Sequence, residues 1–311
     1  MKSILVTGGL GFIGSHFIKY IFDKYDDYHI HNVDLKTYAA NYSNIHESII
    51  GSGRYTLSIC DINDAKRLQN LIVRQKINCI VNFAAESHVD NSISNSKPFI
   101  HTNINGTHSL LSLLTECPSV ERYVQVSTDE VYGSLTEEDP AFTEDTPIQA
   151  NSPYSASKAS ADLLCRSFYE TFGYPILITR CSNNYGPNQH EEKLIPLMIK
   201  NAKAGKKLPV YGDGRNIRDW IHVYDHCAGI DLVLHHGKAG EVYNIGGNNE
   251  VRNIDIVKTI LKLLGKKEDQ IEFVKDRLGH DWRYAIDNTK IQTELNWHPV
   301  IDFEKGLKEL M

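Results

Sequence analysis

The stretch "SILVTGGLGFIGSHFIKYIFDKY", Ser3–Tyr25, decides the fold. An apolar strand runs into a cluster of glycines, and an amphipathic helix follows without a spacer. The cluster fits Gly9-x-Gly11-x-x-Gly14 and equally Gly8-x-x-Gly11-x-x-Gly14. Glycines at such a turn let the backbone approach a pyrophosphate at the helix N-terminus. The next apolar run, "HIHNVD", ends in Asp34, about twenty residues beyond the last glycine. A carboxylate there can accept hydrogen bonds from ribose hydroxyls. It would repel a 2′-phosphate, so the spacing favours NAD over NADP.

Strand and helix patterns go on alternating. Strands are expected at "YTLSICD" (55–61), "CIVNFAA" (79–85), "YVQVST" (123–128) and "PILITR" (175–180). Helices are expected at 62–75, in one long stretch after Pro98, and at "SPYSASKASADLLCRSFYETFG" (152–173). Several strands are apolar throughout, as in a parallel sheet covered on both faces. The class is α/β, a Rossmann-type doubly wound parallel sheet. After Arg180 the pattern loosens into turns rich in Gly, Pro and Asn, with helices at 223–236, 253–265 and 302–310. The expected division is an NAD-binding domain over 1–180, with 219–245 returning to it, and a smaller C-terminal substrate-binding lobe drawn mainly from 181–311.

The composition is 41% hydrophobic and 23% charged, which excludes a disordered or fibrous chain. A net charge of −6 offers no global attraction to nucleic acid or an acidic membrane. Six scattered cysteines without a Cys-x-x-Cys pair read as free thiols in a reducing compartment, with no metal site. Glycines interrupt the N-terminal apolar run, so it is not read as a signal peptide, and no run approaches membrane-spanning length. The expected setting is cytoplasmic.

Tyr154 and Lys158 lie four residues apart on one predicted helix and therefore share a face. Ser152 suits the cap of that helix and Pro153 its first position. A nearby ammonium and a positive nicotinamide would lower the phenol's pKa and make a usable base. With the glycine loop, this Tyr-x-x-x-Lys pair resembles the extended short-chain dehydrogenase/reductase family. The resemblance covers almost the whole chain.

The segment "STDEVYG" (127–133) narrows it. Sugar-nucleotide epimerases of that family usually carry small or hydroxyl residues after this strand. The Thr-Asp-Glu triplet is similar to that of the nucleotide-sugar 4,6-dehydratases, closest to those acting on dTDP-glucose. Matching segments are "NFAAESHVDNSI" (82–93), "SNNYGPNQ" (182–189), "EKLIPL" (192–197), "VYGDGRNIRDWIHV" (210–223) and "DRLGHDWRYAID" (276–287). Loss of water across C5–C6 of glucose needs an acidic C5 proton, supplied by oxidising C4 to a ketone. A base then takes the C5 proton and an acid protonates the departing C6 oxygen. Adjacent carboxylates can divide these tasks if charge repulsion and burial keep one protonated. The resemblance implies Asp129 as the acid, Glu130 as the base, and Thr128 with Tyr154 on the C4 oxygen. Because strand neighbours point to opposite faces, regular strand geometry must end near Thr128 for both acids to reach one sugar.

The resemblance also implies an NAD site at Gly8, Gly11, Phe12, Ile13 and Gly14, then Asp34, Lys36, Asp61 and Ile62, and finally Ala84, Ala85, Thr102, Tyr154, Lys158 and Asn184. It implies nucleotide-sugar contacts from Ser87, His88, Asn183, Lys193 and Leu194, from Pro209, Tyr211, Arg218 and Asn253, and from Arg277, His280 and Tyr284. Arginines among them can grip a diphosphate by paired hydrogen bonds. The family's usual Asp-Arg-Pro-Gly-His-Asp has Leu278 in place of its proline. A homodimer through helices near 94–116 and 152–172 and a place in dTDP-rhamnose synthesis are further implications.

Overall fold

A computed structural model describes residues 2–311. The first six strands are β1 (Lys2–Thr7), β2 (Tyr28–Asp34), β3 (Tyr55–Ile59), β4 (Cys79–Asn82), β5 (Arg122–Thr128) and β6 (Ile176–Cys181). Then come β7 (Asn183–Tyr185), β8 (Leu208–Tyr211), β9 (Ile217–His222), β10 (Val242–Ile245), β11 (Glu250–Arg252) and β12 (Ile271–Val274). Seven strands form one sheet in the order β10-β6-β5-β4-β1-β2-β3. Every neighbouring pair in it is parallel.

Alternation along β1 distributes the core to both faces. Ile4 and Val6 pack with Phe17, Ile18, Ile21, Ile230 and Val233, from helices Phe12–Lys24 and Val223–His236. Leu5 packs on the other face with Ile80, Leu110, Leu113 and Cys165, beneath helices Thr107–Glu116 and Pro153–Phe172. Each fully buried aliphatic side chain contributes roughly 1.5–3 kcal/mol. A third cluster joins Ile195, Met198, Val210, Trp220, Ile256 and Ile260. It lies beneath helices Leu194–Lys203 and Asn253–Leu263, away from the large sheet. There β7, β9 and β11 make a three-stranded sheet, and β8 pairs with β12.

The single long helix expected after Pro98 is not regular. Residues Ile100–Gly106 form a π-helical turn before the α-helix resumes at Thr107. The physical cause lies at the middle and the end of the turn. Asn103 is buried there and bonds across to residue 86 through both its amide atoms. A Cβ on Gly106 would come within 2.3 Å of Ile62 Cδ1, so the turn is packed closely against the end of β3. None of the described helices is long and apolar enough to cross a membrane.

Candidate active site

A cleft of about 310 Å³ runs along the carboxyl ends of β1 to β6, where a doubly wound sheet presents its ligand crevice. The glycine loop forms one wall. Gly8 has φ of +69°, and a Cβ there would stand 2.7 Å from Ala84 N. A Cβ on Gly14 would stand 2.4 Å from Gly8 O. Gly8, Gly11 and Gly14 line the cleft, while Gly9 is not in its lining and packs closely against Asn32 and Ile18. Gly11 caps the helix with no side-chain bond, leaving its positive end to face the cleft.

Asp34 ends β2 buried. Its Oδ2 accepts Leu10 N at 2.9 Å and its Oδ1 accepts Lys36 N at 2.7 Å. Burial raises its pKa, and the two amides act against that rise. Each oxygen keeps a lone pair for a hydroxyl donor. The cradle that side chains would fill and the carboxylate beyond it fit a dinucleotide.

Asp61 accepts Asn63 N at 2.8 Å and faces His101 Nε2 at 3.1 Å. Burial alone would raise its pKa, but Asn63 and His101 together hold it below the ordinary value. Ile62, Ala84, Ala85 and Thr102 also line this part of the cleft. Lys36 does not; its ammonium lies 4.6 Å from the Tyr42 ring centroid.

At the centre, β5 stops at Thr128 and a 3₁₀ turn, Asp129–Tyr132, begins at once. Glu130 N donates to Thr128 Oγ1 at 3.3 Å. The turn puts both acids on the cleft. Asp129 is 2% exposed, and its Oδ2 has no hydrogen-bond partner among the described residues. Burial pushes its pKa well above the carboxylate range, with Glu130 and then Asp219 adding to the rise. Glu130 stays partly open; burial raises its pKa too, while Lys193 and Arg218 pull it down. The two neighbours are therefore unequal, with Asp129 the better proton holder.

Helix Pro153–Phe172 begins with a full capping box: Ser155 N donates to Ser152 Oγ at 3.0 Å and Ser152 N to Ser155 Oγ at 2.9 Å. This fixes Tyr154 and Lys158, both buried, on the cleft side. The expectation that the ammonium lowers the phenol's pKa is not met in the protein by itself. Lys158 Nζ donates to Val126 O at 2.7 Å. Burial drives the Tyr154 pKa well above 10, with the Glu130 charge next; the Thr128 hydroxyl opposes both. Burial likewise lowers the pKa of Lys158.

The expected sugar and nucleotide contacts divide into three groups. Ser87, Asn183 and Lys193 line the cleft, as does the expected cofactor residue Asn184, and Lys193 Nζ donates to Ser87 O at 3.0 Å. Tyr211, Arg218, Arg277, His280 and Tyr284 form a cluster outside its lining. Arg218 sits 4.3 Å from the Tyr284 ring centroid and Arg277 5.3 Å from that of Tyr211. Tyr211 and His280 meet edge to face at 6.3 Å. Arg218 departs from the expected paired grip. Its Nη1 donates to Ile217 O at 2.7 Å and its Nη2 to Asp281 O at 2.9 Å, so the β9 and 281–282 backbone holds it as a fixed charge. Arg277 keeps a buried Nε without a hydrogen-bond partner among the described residues. His88 is not itself in the cleft lining: its Nδ1 caps helix Val89–Ser94, while its Nε2 lies 3.8 Å from Glu192 Oε2, which is in the lining. Leu194 packs in the third cluster, Pro209 lies on β8, and Asn253 starts the helix that follows β11.

Three features were not anticipated. Asn103 Nδ2 donates to Glu86 O at 3.0 Å and to Ser157 Oγ at 2.8 Å, tying the β4 loop to the tyrosine helix. Tyr38 OH donates to Glu192 Oε1 at 3.2 Å, so the loop after β2 meets the loop after β7 across the cleft. Asp219 is held by Gly247 N at 2.9 Å and Asn249 N at 2.6 Å. The only sequence signal for them was polarity within otherwise apolar or loop segments.

Leu278 is 76% exposed and precedes Gly279, whose φ is +62°. A turn with positive φ at its third residue favours proline at the second, and Leu278 N–H donates to no group among the described residues. Leu278→Pro is therefore expected to raise stability by roughly 0.4–1 kcal/mol by restricting the unfolded chain. Denaturant titration checks this, and a fall in stability would show that the turn needs another φ.

Residues 5–310 match the family model described as GDP-mannose 4,6 dehydratase. The chain is 49% identical over 305 residues to the low-salt glycan biosynthesis protein Agl12 of Haloferax volcanii, covering 98% of this chain and 96% of that one. It is 48% identical to dTDP-glucose 4,6-dehydratase of Haemophilus influenzae, covering 99% of this chain and 96% of the relative. It resembles the crystal structure of dTDP-glucose 4,6-dehydratase from Bacillus anthracis in complex with NAD, with a TM-score of 0.93 and 51% identity, covering 100% and 95% of the two chains. A match this continuous spans the glycine loop, the acid pair and the arginine cluster alike, and the chain belongs to the GDP-mannose 4,6 dehydratase family.

Proposed function

We propose that this protein is an NAD-dependent dehydratase that converts dTDP-glucose to dTDP-4-keto-6-deoxyglucose. The observation that carries the reading is the break at Thr128, which delivers two unequal carboxyls to the cleft beside Tyr154. Full-length similarity to dTDP-glucose 4,6-dehydratases supports the substrate.

Gly8, Gly11, Gly14 and Asp34 would hold the cofactor, with Lys158 and Asn184 at its nicotinamide end. Bound NAD supplies the chemistry of accepting hydride from C4 and later giving it to C6. Tyr154 takes the C4 hydroxyl proton while Thr128 steadies that oxygen. The C4 ketone makes the C5 proton acidic. Glu130, the less strongly protonated acid, removes it. Asp129, buried and protonated, gives its proton to the C6 oxygen as water leaves. Lys193, Arg218 and Arg277 supply positive charge for the diphosphate, and Tyr211, His280 and Tyr284 flank the nucleotide end.

The test is incubation with dTDP-glucose and, separately, with UDP- and GDP-sugars, followed by mass spectrometry. A 4-keto product one water lighter from dTDP-glucose is expected. An isomeric product that keeps its C6 oxygen would replace this reading with an epimerase.

The reading extends to a homodimer in the cytoplasm serving deoxysugar synthesis. Ile100, Leu163 and Phe172 are exposed on the two helical segments assigned to the interface, which supports self-association. Sedimentation equilibrium is expected to give twice the chain mass, and a monomer would overturn the assignment.

A further inference from the structure

Lys158 is a buried ammonium whose direct hydrogen-bond partner is one carbonyl, Val126 O. Burying a cation this way is costly without a counter-charge. One turn along the same helix face is Asp162, 1% exposed. Its Oδ2 accepts Arg180 Nε, from β6, at 2.9 Å. Its Oδ1 is buried and has no hydrogen-bond partner among the described residues. Arg180 in turn lies 4.7 Å from the ring centroid of Tyr132, the last residue of the turn that carries Asp129 and Glu130. Tyr132 OH donates to Asn244 Oδ1 on β10 at 2.8 Å. One buried polar chain therefore runs from Asp162, four residues beyond Lys158, through Arg180 and Tyr132 to behind the acid pair, and none of these three residues is in the cleft lining.

We propose that Asp162, clamped by Arg180, is a positioning residue that keeps Lys158 charged and in place behind Tyr154. The inference rests on the redox role assigned to Tyr154 and Lys158 above. The other groups facing Lys158 cannot supply the counter-charge. Cys165 on its own helix and Cys181 on β6 are thiols whose pKa values burial raises, so they stay neutral. β5 contributes a carbonyl, which carries no formal charge. Asp162 is the leading influence that raises the ammonium's pKa against burial. Arg180 bonds to Asp162 and lies over the Tyr132 ring, so a displacement of the carboxylate would be felt at the acid turn. The same ion pair thereby registers the redox base against the dehydration pair.

Asp162→Asn tests this in two ways. Activity on dTDP-glucose should lose its alkaline limb at a pH lower by roughly one unit, hence about tenfold less activity on that side. The titration of Lys158, read from the NMR shift of its Cε in the cofactor-free protein, should move the same way. Asp162→Glu should restore both. The Asp162→Asn/Arg180→Met double variant removes the stranded cation, as replacement of a buried pair by apolar groups is often tolerated. It should therefore stay folded while keeping the lowered Lys158 titration. An unmoved titration in folded variants, with only Tm reduced, overturns the proposal and makes the pair purely structural. If dTDP-glucose is not turned over by the parent protein but the Lys158 titration still shifts, the substrate reading fails and this inference stands.

Discussion

Glu130→Gln is expected to stop the reaction after C4 oxidation. The amide keeps the shape of the carboxylate but cannot take a proton, so the C5 hydrogen should no longer exchange with deuterated solvent. General-base removal typically costs 10²–10⁴-fold, so kcat should fall by about that factor. Tyr154 and Lys158 are unchanged, and the near-ultraviolet absorbance of reduced nicotinamide should build up on mixing with substrate. Exchange at C5 proceeding at the parent rate would move the base elsewhere. Glu130 is the better candidate because it remains partly open, and because Lys193 and Arg218 oppose the rise that burial imposes on its pKa.

Asp129→Asn should show a comparable loss of activity together with a gain in stability. Burial, Glu130 and Asp219 raise the Asp129 pKa in the folded state well above its unfolded value of about 3.9. The folded protein therefore holds a proton that the unfolded chain has released. Stability falls as pH rises through the unfolded pKa and keeps falling until the folded one is passed. Asparagine removes this linkage. The variant should be the more stable of the two at neutral pH, with the gap closing below about pH 4, where both states of the parent are protonated. Thermal unfolding across pH measures it. A gap that widens toward acid would mean that Asp129 is ionised in the folded protein. A residue that weakens the fold while enabling the reaction is the usual trade at an active site.

What could be read from the chain was local. The glycine spacing, Asp34, the strand–helix alternation and the Ser152–Pro153 helix start are set by steric and hydrogen-bond rules acting within about twenty residues. The end of β5 was legible too, since two acids cannot share one side of a regular strand. The π-turn was not, because one widened turn shifts the apolar pattern too briefly to stand out from an α-helical period. Its cause is contact with Ile62 and residue 86, brought close by the sheet.

The same division holds in the site. The sequence by itself determined which groups are available: a dinucleotide cradle, a tyrosine with a lysine on its helix face, and two adjacent carboxyls. Tertiary structure alone decided their electrical states. Asp129 feels Asp219 from β9, Glu130 feels Lys193 and Arg218, and Lys158 feels the Asp162 that Arg180 holds. Proton affinity depends on burial and on charges that folding brings within a few ångströms, and sequence separation does not report either quantity.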